Sequence, residues 1–121
     1  MAKNMEITLL FDFYGDMLTD KQRDMVEFYY NDDLSLAEIA ENEGISRQGV
    51  RDSIKRAESQ LLEMEERLGL AQRFRDMKSG LDFISGAALE IKELNNRHAY
   101  SREIDEHSLR IISTARALNE V

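Results

Sequence analysis

The chain has no cysteine, no proline and no tryptophan in 121 residues. Without cysteine it has no disulfide framework, no thiol nucleophile and no thiolate metal ligand. Nothing in it therefore points to an oxidising compartment, and a cytoplasmic location is expected. Long apolar runs are lacking too: the longest uncharged, mostly apolar stretch, Phe83 to Leu89, falls far short of the roughly 20 residues that a helix needs to span a bilayer. Ile7 to Phe11 is cut off by Asp12, so it does not read as a signal-peptide core. No membrane association is expected. Basic residues are outnumbered, 16 against 24 acidic, for a net charge of −8. Such a balance repels polyanions at long range.

The absence of proline also bears on fold, because proline punctuates the loops and edges of most mixed folds. Abundant Glu, Leu, Ala, Arg and Met favour helix, and no segment alternates apolar and polar residues with β-branched enrichment. The chain reads as all-α. A first helix is expected from Met5 to Asp16, with Ile7, Leu10, Phe11 and Tyr14 on one face. Thr19 and Gln22 form a capping box for a second, whose inward residues are Met25, Val26, Phe28 and Tyr29, with Asp32 and Asp33 as its break. Ser35 and Glu38 form another capping box, for a short third helix that Gly44 ends. Ser46 caps a long fourth helix that stops at Gly69.

Beyond Gly69, Phe74, Met77, Leu81, Ile84, Ala88 and Ile91 make a heptad seam. Asn95 to Tyr100 reads as a polar turn, and Ser101 caps a last helix carrying Ile104, Ile111, Ala115 and Leu118. The organisation expected is therefore a helix-turn-helix head of about four helices, the fourth long, over residues 1–69, then a helical hairpin or dimerisation extension over residues 70–121. The seams of the fourth and fifth helices leave two arrangements open. They pack on each other across Gly69, or the C-terminal helices pair with a second copy. Long apolar seams need more cover than a small head offers, which favours a homodimer.

The informative stretch is LSLAEIAENEGISRQGVRDSIKRA, Leu34 to Ala57. Leu36, Ile39, Ala40, Ile45, Val50 and Ile54 supply the apolar positions of a helix-turn-helix, with Ala40 small where the helices cross and Gly44 at the turn. Arg47, Arg51 and Lys55, at i, i+4 and i+8, form a basic stripe beside the apolar one. With Gln48 they lie on the half of a recognition helix that reaches base edges. Ser46 would offer first-turn amides to a phosphate. Arg47, Gln48 and Arg51 would probe bases, and Lys55 and Arg56 would contact the backbone. Residues 1 to 45 carry three basic and eleven acidic side chains, whereas residues 46 to 57 carry four basic against Asp52 alone. The stripe is thus either a small docking site on an acidic body or a solvated helix face; its place in the motif favours docking.

Helices two to four look like region 4 of bacterial sigma factors: a capped helix ending in aromatics, a short helix, then SR-x-x-V and I-x-R. A closer resemblance, over about residues 5 to 83, is to the YlxM family of small bacterial proteins linked to the signal recognition particle pathway. It is carried by Leu10 to Tyr14, Leu18-Thr19, Lys21-Gln22-Arg23, Tyr29-Tyr30, Asp33-Leu34-Ser35-Leu36, Glu38-Ile39-Ala40, Ser46-Arg47-Gln48 and Asp52-Ser53-Ile54-Lys55-Arg56. The chain has Gly49 and Arg51 where the family typically has Ala and Tyr. The resemblance implies a helical regulator acting near the particle's GTPase or its RNA.

Other constellations read as structure. Phe28, Tyr29 and Tyr30 could serve as a stacking platform, but core is the better reading. Asp12 with Asp16, and Asp32 with Asp33, read as solvated carboxylates. His98 and His107 have no companion at metal-ligand spacing. No phosphate-cradling glycine loop and no paired nucleophile and base are present, so a non-enzyme without cofactor is expected. Two functions follow: a nucleic-acid-binding regulator (on DNA or signal recognition particle RNA), or an adaptor whose acidic half, with Asp20, Asp24 and Glu27, docks on a basic partner such as the particle's GTPase.

Overall fold

A computed structural model describes residues 1–120. Every regular element among them is helical: α1 (Met5–Tyr14), α2 (Asp20–Val26), α3 (Leu36–Glu43), α4 (Arg47–Leu68), α5 (Leu70–Arg97) and α6 (Arg102–Asn119). The fold is all-α. α1 is shorter than expected, because Gly15–Met17 forms a tight 3-10 turn. α2 passes into one wide turn, Glu27–Asn31, in which the Asp32 amide donates back to the Glu27 carbonyl at 3.1 Å. Such a π-turn rotates the residues after it relative to an unbroken helix. The chain divides into two compact units, Met1–Ala71 and the segment from Gln72 onward.

The first unit is held by two apolar clusters. In one, Ile7, Leu10 and Tyr14 of α1 pack with Leu18, Val26, Ala71 and the Ala57 and Leu61 positions of α4. In the other, Met25 and Tyr29 pack with Ile39 and Ala40 of α3 and with Val50 and Ile54. The α4 stripe is thus filled by α1 in its second half and by α2 and α3 in its first. The sharp corners between these helices are made by short-range chemistry. The Gln22 amide donates to Thr19 Oγ1 at 3.2 Å and the Thr19 amide to Gln22 Oε1 at 3.1 Å. Glu38 and Ser35 repeat the exchange, both at 3.1 Å.

Tyr14 locks the end of this unit. Its hydroxyl donates to Glu65 Oε1 at 2.7 Å and accepts from the Leu70 amide at 3.1 Å, while the Ala71 amide donates to the same Glu65 oxygen at 3.1 Å. Gly69, at φ +63°, turns the chain between the two. Burial, then the hydrogen bond to Glu65, pushes the Tyr14 hydroxyl pKa above its ordinary value. Tyr14→Phe keeps the ring but strands the Leu70 amide, and is expected to lower the stability of this unit by about 1–2 kcal/mol, read as a lower urea midpoint.

The aromatic run is structural. Tyr29 is buried and Phe28 and Tyr30 are half-buried. The Tyr29 hydroxyl donates to the Met1 carbonyl at 3.0 Å, the Asn4 amide donates to the Tyr30 hydroxyl at 3.2 Å, and the Lys3 ammonium stands 4.9 Å from the Tyr29 ring centroid. Lys3 also pairs with Asp33, whose φ of +58° marks the chain break before α3. The N-terminal arm is therefore strapped over the aromatic pair.

In the second unit α5 and α6 form an antiparallel hairpin. Lys92 pairs with Asp105 at 3.2 Å near its closed end, and Asn119 Nδ2 donates to Asp82 Oδ1 at 2.6 Å near its open end. One expectation is corrected here. Asn95 does not begin a turn: α5 continues to Arg97, and Asn95 is buried as a clasp. Its amide donates to the Ser101 carbonyl at 2.8 Å, and its Oδ1 accepts from the Ser101 backbone at 3.0 Å. The apolar seam is divided between inside and outside. Ala88, Ser108, Ile112 and Ala115 are buried, whereas Met77, Ile84, Ile91, Ile104, Ile111 and Leu118 are exposed. Ile84, Ile111 and Leu118 fall to one side, where they line an open groove.

Candidate nucleic-acid interface

The turn between α3 and α4 is set by Gly44, which takes φ +69°. The Ile45 amide returns to the Ala40 carbonyl at 3.2 Å, which places Ile45 against the cluster beneath the two helices. Ser46 then accepts from the Gly49 amide at 2.9 Å and opens α4. A Cβ at Gly49 would stand 3.2 Å from Ser46 Oγ, so glycine leaves this cap uncrowded. Gly44 itself has open space around it, and what excludes other residues there is the backbone. Gly44→Ala is expected to destabilise the first unit by about 1–2 kcal/mol through left-handed strain alone, visible as a lower melting temperature.

The six residues singled out from the sequence all lie at the start of α4 or on its first half, and all are exposed. They are not equivalent. Arg47, Arg51 and Lys55 project as one stripe beside the buried row of Val50 and Ile54. Among the described residues, none of the three forms an ion pair, and neither does Arg56. Gln48 is engaged: its Nε2 donates to Asp52 Oδ1 at 2.9 Å along the helix. Ser46 uses its hydroxyl on Gly49, while the Arg47 and Gln48 amides precede the first helical hydrogen bonds and stay available. Arg56 stands half a turn away from Arg47, on the other side of α4.

There Arg56 lines a groove between α4 and the start of α2, with Thr19, Lys21, Gln22, Gly49, Asp52 and Ser53. Lys21 is a cation that sequence reasoning did not bring to this site. Only its position in the first turn of α2, beside the capping box, hints at it in the sequence. Two cationic edges therefore flank the exposed part of α4, one of Arg47, Arg51 and Lys55 and one of Arg56 and Lys21. Between them sits Asp52, held by Gln48.

The surrounding field is acidic. Exposed Glu38 and Glu41 stand on α3, and Asp20 and Asp24 on α2. Arg23 is spent on Asp16 and Asp20, at 3.2 and 2.9 Å. The Ser35 amide holds the Glu38 carboxyl below its usual pKa, and Lys3 does the same for Asp33. Among the described residues no three His, Asp or Glu side chains gather as a metal site, and no helix is long and apolar enough to cross a membrane.

Comparison with known proteins agrees with this geometry. Residues 1–101 match the UPF0122 family, described as "Putative helix-turn-helix protein, YlxM / p13 like". A UPF0122 protein of Thermoanaerobacter sp. (strain X514) is 47% identical over 116 residues, 95% of this chain and 92% of that one. One from Caldanaerobacter subterraneus subsp. tengcongensis is 53% identical over 78 residues, 64% of this chain and 67% of that one. Another, from Bacillus cereus (strain AH187), is 51% identical over 76 residues, 63% of this chain and 69% of that one. The chain belongs to the UPF0122 family of YlxM / p13 like helix-turn-helix proteins.

Proposed function

We propose that this protein is a non-catalytic, nucleic-acid-binding regulator of the cytoplasm, working as a homodimer in the signal recognition particle pathway. One observation carries the nucleic-acid part: Arg47, Arg51 and Lys55 stand exposed and free of ion pairs on the first half of the second helix of a helix-turn-helix. A cation that serves only solubility in a chain of net charge −8 would gain by pairing with one of the many carboxylates. Arg47 and Arg51 would read base edges, joined by Gln48 when it leaves Asp52. Lys55 would contact phosphate on one side, and Arg56 with Lys21 on the other. The first-turn amides next to Ser46 would take a further phosphate. The pathway assignment is supported by the YlxM-like sequence, and the ligand is then either a DNA site or the particle's RNA.

Fluorescence anisotropy at stepped salt tests this. Labelled duplex DNA and signal recognition particle RNA are titrated with the full chain. Binding that weakens linearly in log–log form with salt is expected, and the tighter ligand separates transcriptional control from particle biology. No binding to either at low salt overturns the proposal.

A second function has its own support. The net −8 of residues 1 to 45 gives α2 an acidic surface of Asp20, Asp24 and Glu27. Asp20 is already paired with Arg23 and Glu27 accepts from Asn31 at 2.9 Å, which leaves Asp24 the freest of the three. An adaptor would dock this surface on a basic partner, with the particle's GTPase as the candidate. Charge reversal at the three positions would then abolish a complex that Arg47→Ala/Arg51→Ala/Lys55→Ala leaves intact.

A further inference from the structure

The α5–α6 hairpin leaves two apolar rows without cover. On α5, Met77, Ile84 and Ile91 recur every seven residues; on α6, Ile104, Ile111 and Leu118 do the same. All six are between 45% and 61% exposed. The alternate positions of the same seams are the ones used inside the hairpin: Leu81, Ala88 and Asn95 from α5, and Ser101, Ser108 and Ala115 from α6. At 3.6 residues per turn both uncovered rows fall on the same side of the hairpin. Ile84, Ile111 and Leu118 accordingly line one open groove with Leu81 and Ala115.

Helices that use one row of a heptad seam and expose the other are half of a four-helix bundle, in which both rows are interior. We infer that this face is the dimer interface, covered by the same face of a second copy to close a four-helix bundle of two α5–α6 hairpins. The inference deepens the homodimer reading and does not depend on nucleic-acid binding.

Three observations favour a second copy over another occupant. The face is self-complementary, because α5 and α6 both expose an apolar row and an identical face meets it with like surface. Its size is right: α6 has 18 residues, about 27 Å at 1.5 Å per residue. Two such helices side by side, each about 10 Å across, present a footprint of roughly 540 Å², comparable with the roughly 800 Å² of accessible surface per partner that a stable dimer buries. Its charge is wrong for anything ionic. A third of the chain is charged, yet the positions bordering the rows include Gly80, Ala87, Leu94 and Thr114, and Arg110 is the one Lys or Arg among the residues lining the groove. A polyanion needs more cations than that.

Sedimentation equilibrium of the full chain, at tens of micromolar, tests the assignment. The wild type is expected at twice the 14.0 kDa chain mass. Ile84→Lys/Ile111→Lys should sediment at 14.0 kDa with an unchanged far-ultraviolet spectrum, because both side chains are exposed in the single chain. Leu109→Lys, at an exposed leucine on the opposite side of α6, should remain dimeric. Burying a lysine in each helix should raise the dimer dissociation constant at least about 100-fold. Should the lysines cost helicity, Ile84→Ser/Ile111→Ser must still weaken the dimer. A wild type at single-chain mass overturns the inference, as do a larger assembly or a dimer that survives both double variants. Nucleic-acid failure is read separately: it leaves these masses unchanged.

Discussion

Leu61→Ala lowers the stability of the first unit by about 2–5 kcal/mol, the range for a fully buried leucine whose cavity the surroundings only partly fill. Leu61 is fully buried in the cluster where α4 meets Ile7, Leu10 and Tyr14 of α1. At about 0.05–0.15 kcal/mol per residue, a unit spanning Met1–Ala71 holds only a few such increments in total. The substitution therefore removes a large share of the stability, and the melting temperature is expected to fall by roughly 10–30 °C. Leu62, its neighbour in sequence, is 40% exposed; Leu62→Ala should change stability by no more than about 0.5 kcal/mol. Urea unfolding followed by near-ultraviolet circular dichroism suits the comparison. The chain has no tryptophan, and Tyr14 in the same cluster reports its packing. Equal losses for the two leucines would contradict the packing described for α4.

Arg47→Ala/Arg51→Ala/Lys55→Ala has the largest expected effect on binding. Each lost phosphate contact removes about 0.9 from the log–log salt slope on duplex DNA, so losing the one made by Lys55 would lower it by about 0.9. Arginines that read bases add discrimination of about 1–3 kcal/mol each. Together these losses amount to at least a 100-fold weakening at low salt. In a strongly basic protein other cations would mask much of this. Here the net charge is −8, so little non-specific attraction remains to sustain binding. The three side chains are exposed, and the variant should unfold at the wild-type temperature. Arg56→Ala/Lys21→Ala, on the other side of α4, should lower the slope by about 1.8, for two phosphate contacts, without erasing sequence preference.

What was legible in the sequence was the chemistry that acts over three or four residues. Thr19 with Gln22, Ser35 with Glu38, the Ser46 cap and the glycines at 44 and 69 each specify a helix boundary through bonds made within one turn. The basic stripe was legible for the same reason, since i, i+4 spacing fixes a shared helix side without knowledge of the rest of the fold. What was not legible depended on partners distant in sequence. Asn95 looks like a turn former until the Ser101 backbone that it clasps comes back beside it. Tyr29 and Tyr30 owe their hydroxyl partners to the N-terminal arm, about 26 to 28 residues earlier. Lys21 joins Arg56 only because α2 packs along α4.

The C-terminal seam shows a different limit. Its apolar residues were read correctly as a heptad pattern, but periodicity alone does not say which row meets which helix. In the hairpin Ala88, Ser108, Ile112 and Ala115 are buried, while Met77, Ile84, Ile91, Ile104, Ile111 and Leu118 stay exposed. That distribution follows from how the two helices are rotated toward each other, a property of the pair and not of either helix.

The most direct test of the central claim is the difference in salt slope between the wild type and Arg47→Ala/Arg51→Ala/Lys55→Ala, measured by anisotropy on the same labelled nucleic acid. A nucleic-acid interface on α4 predicts salt-sensitive wild-type binding and a variant that binds at least 100-fold more weakly with a slope lower by about 0.9. A variant that binds as tightly and with the same slope as the wild type would contradict it, and would leave the helix-turn-helix as architecture for another surface.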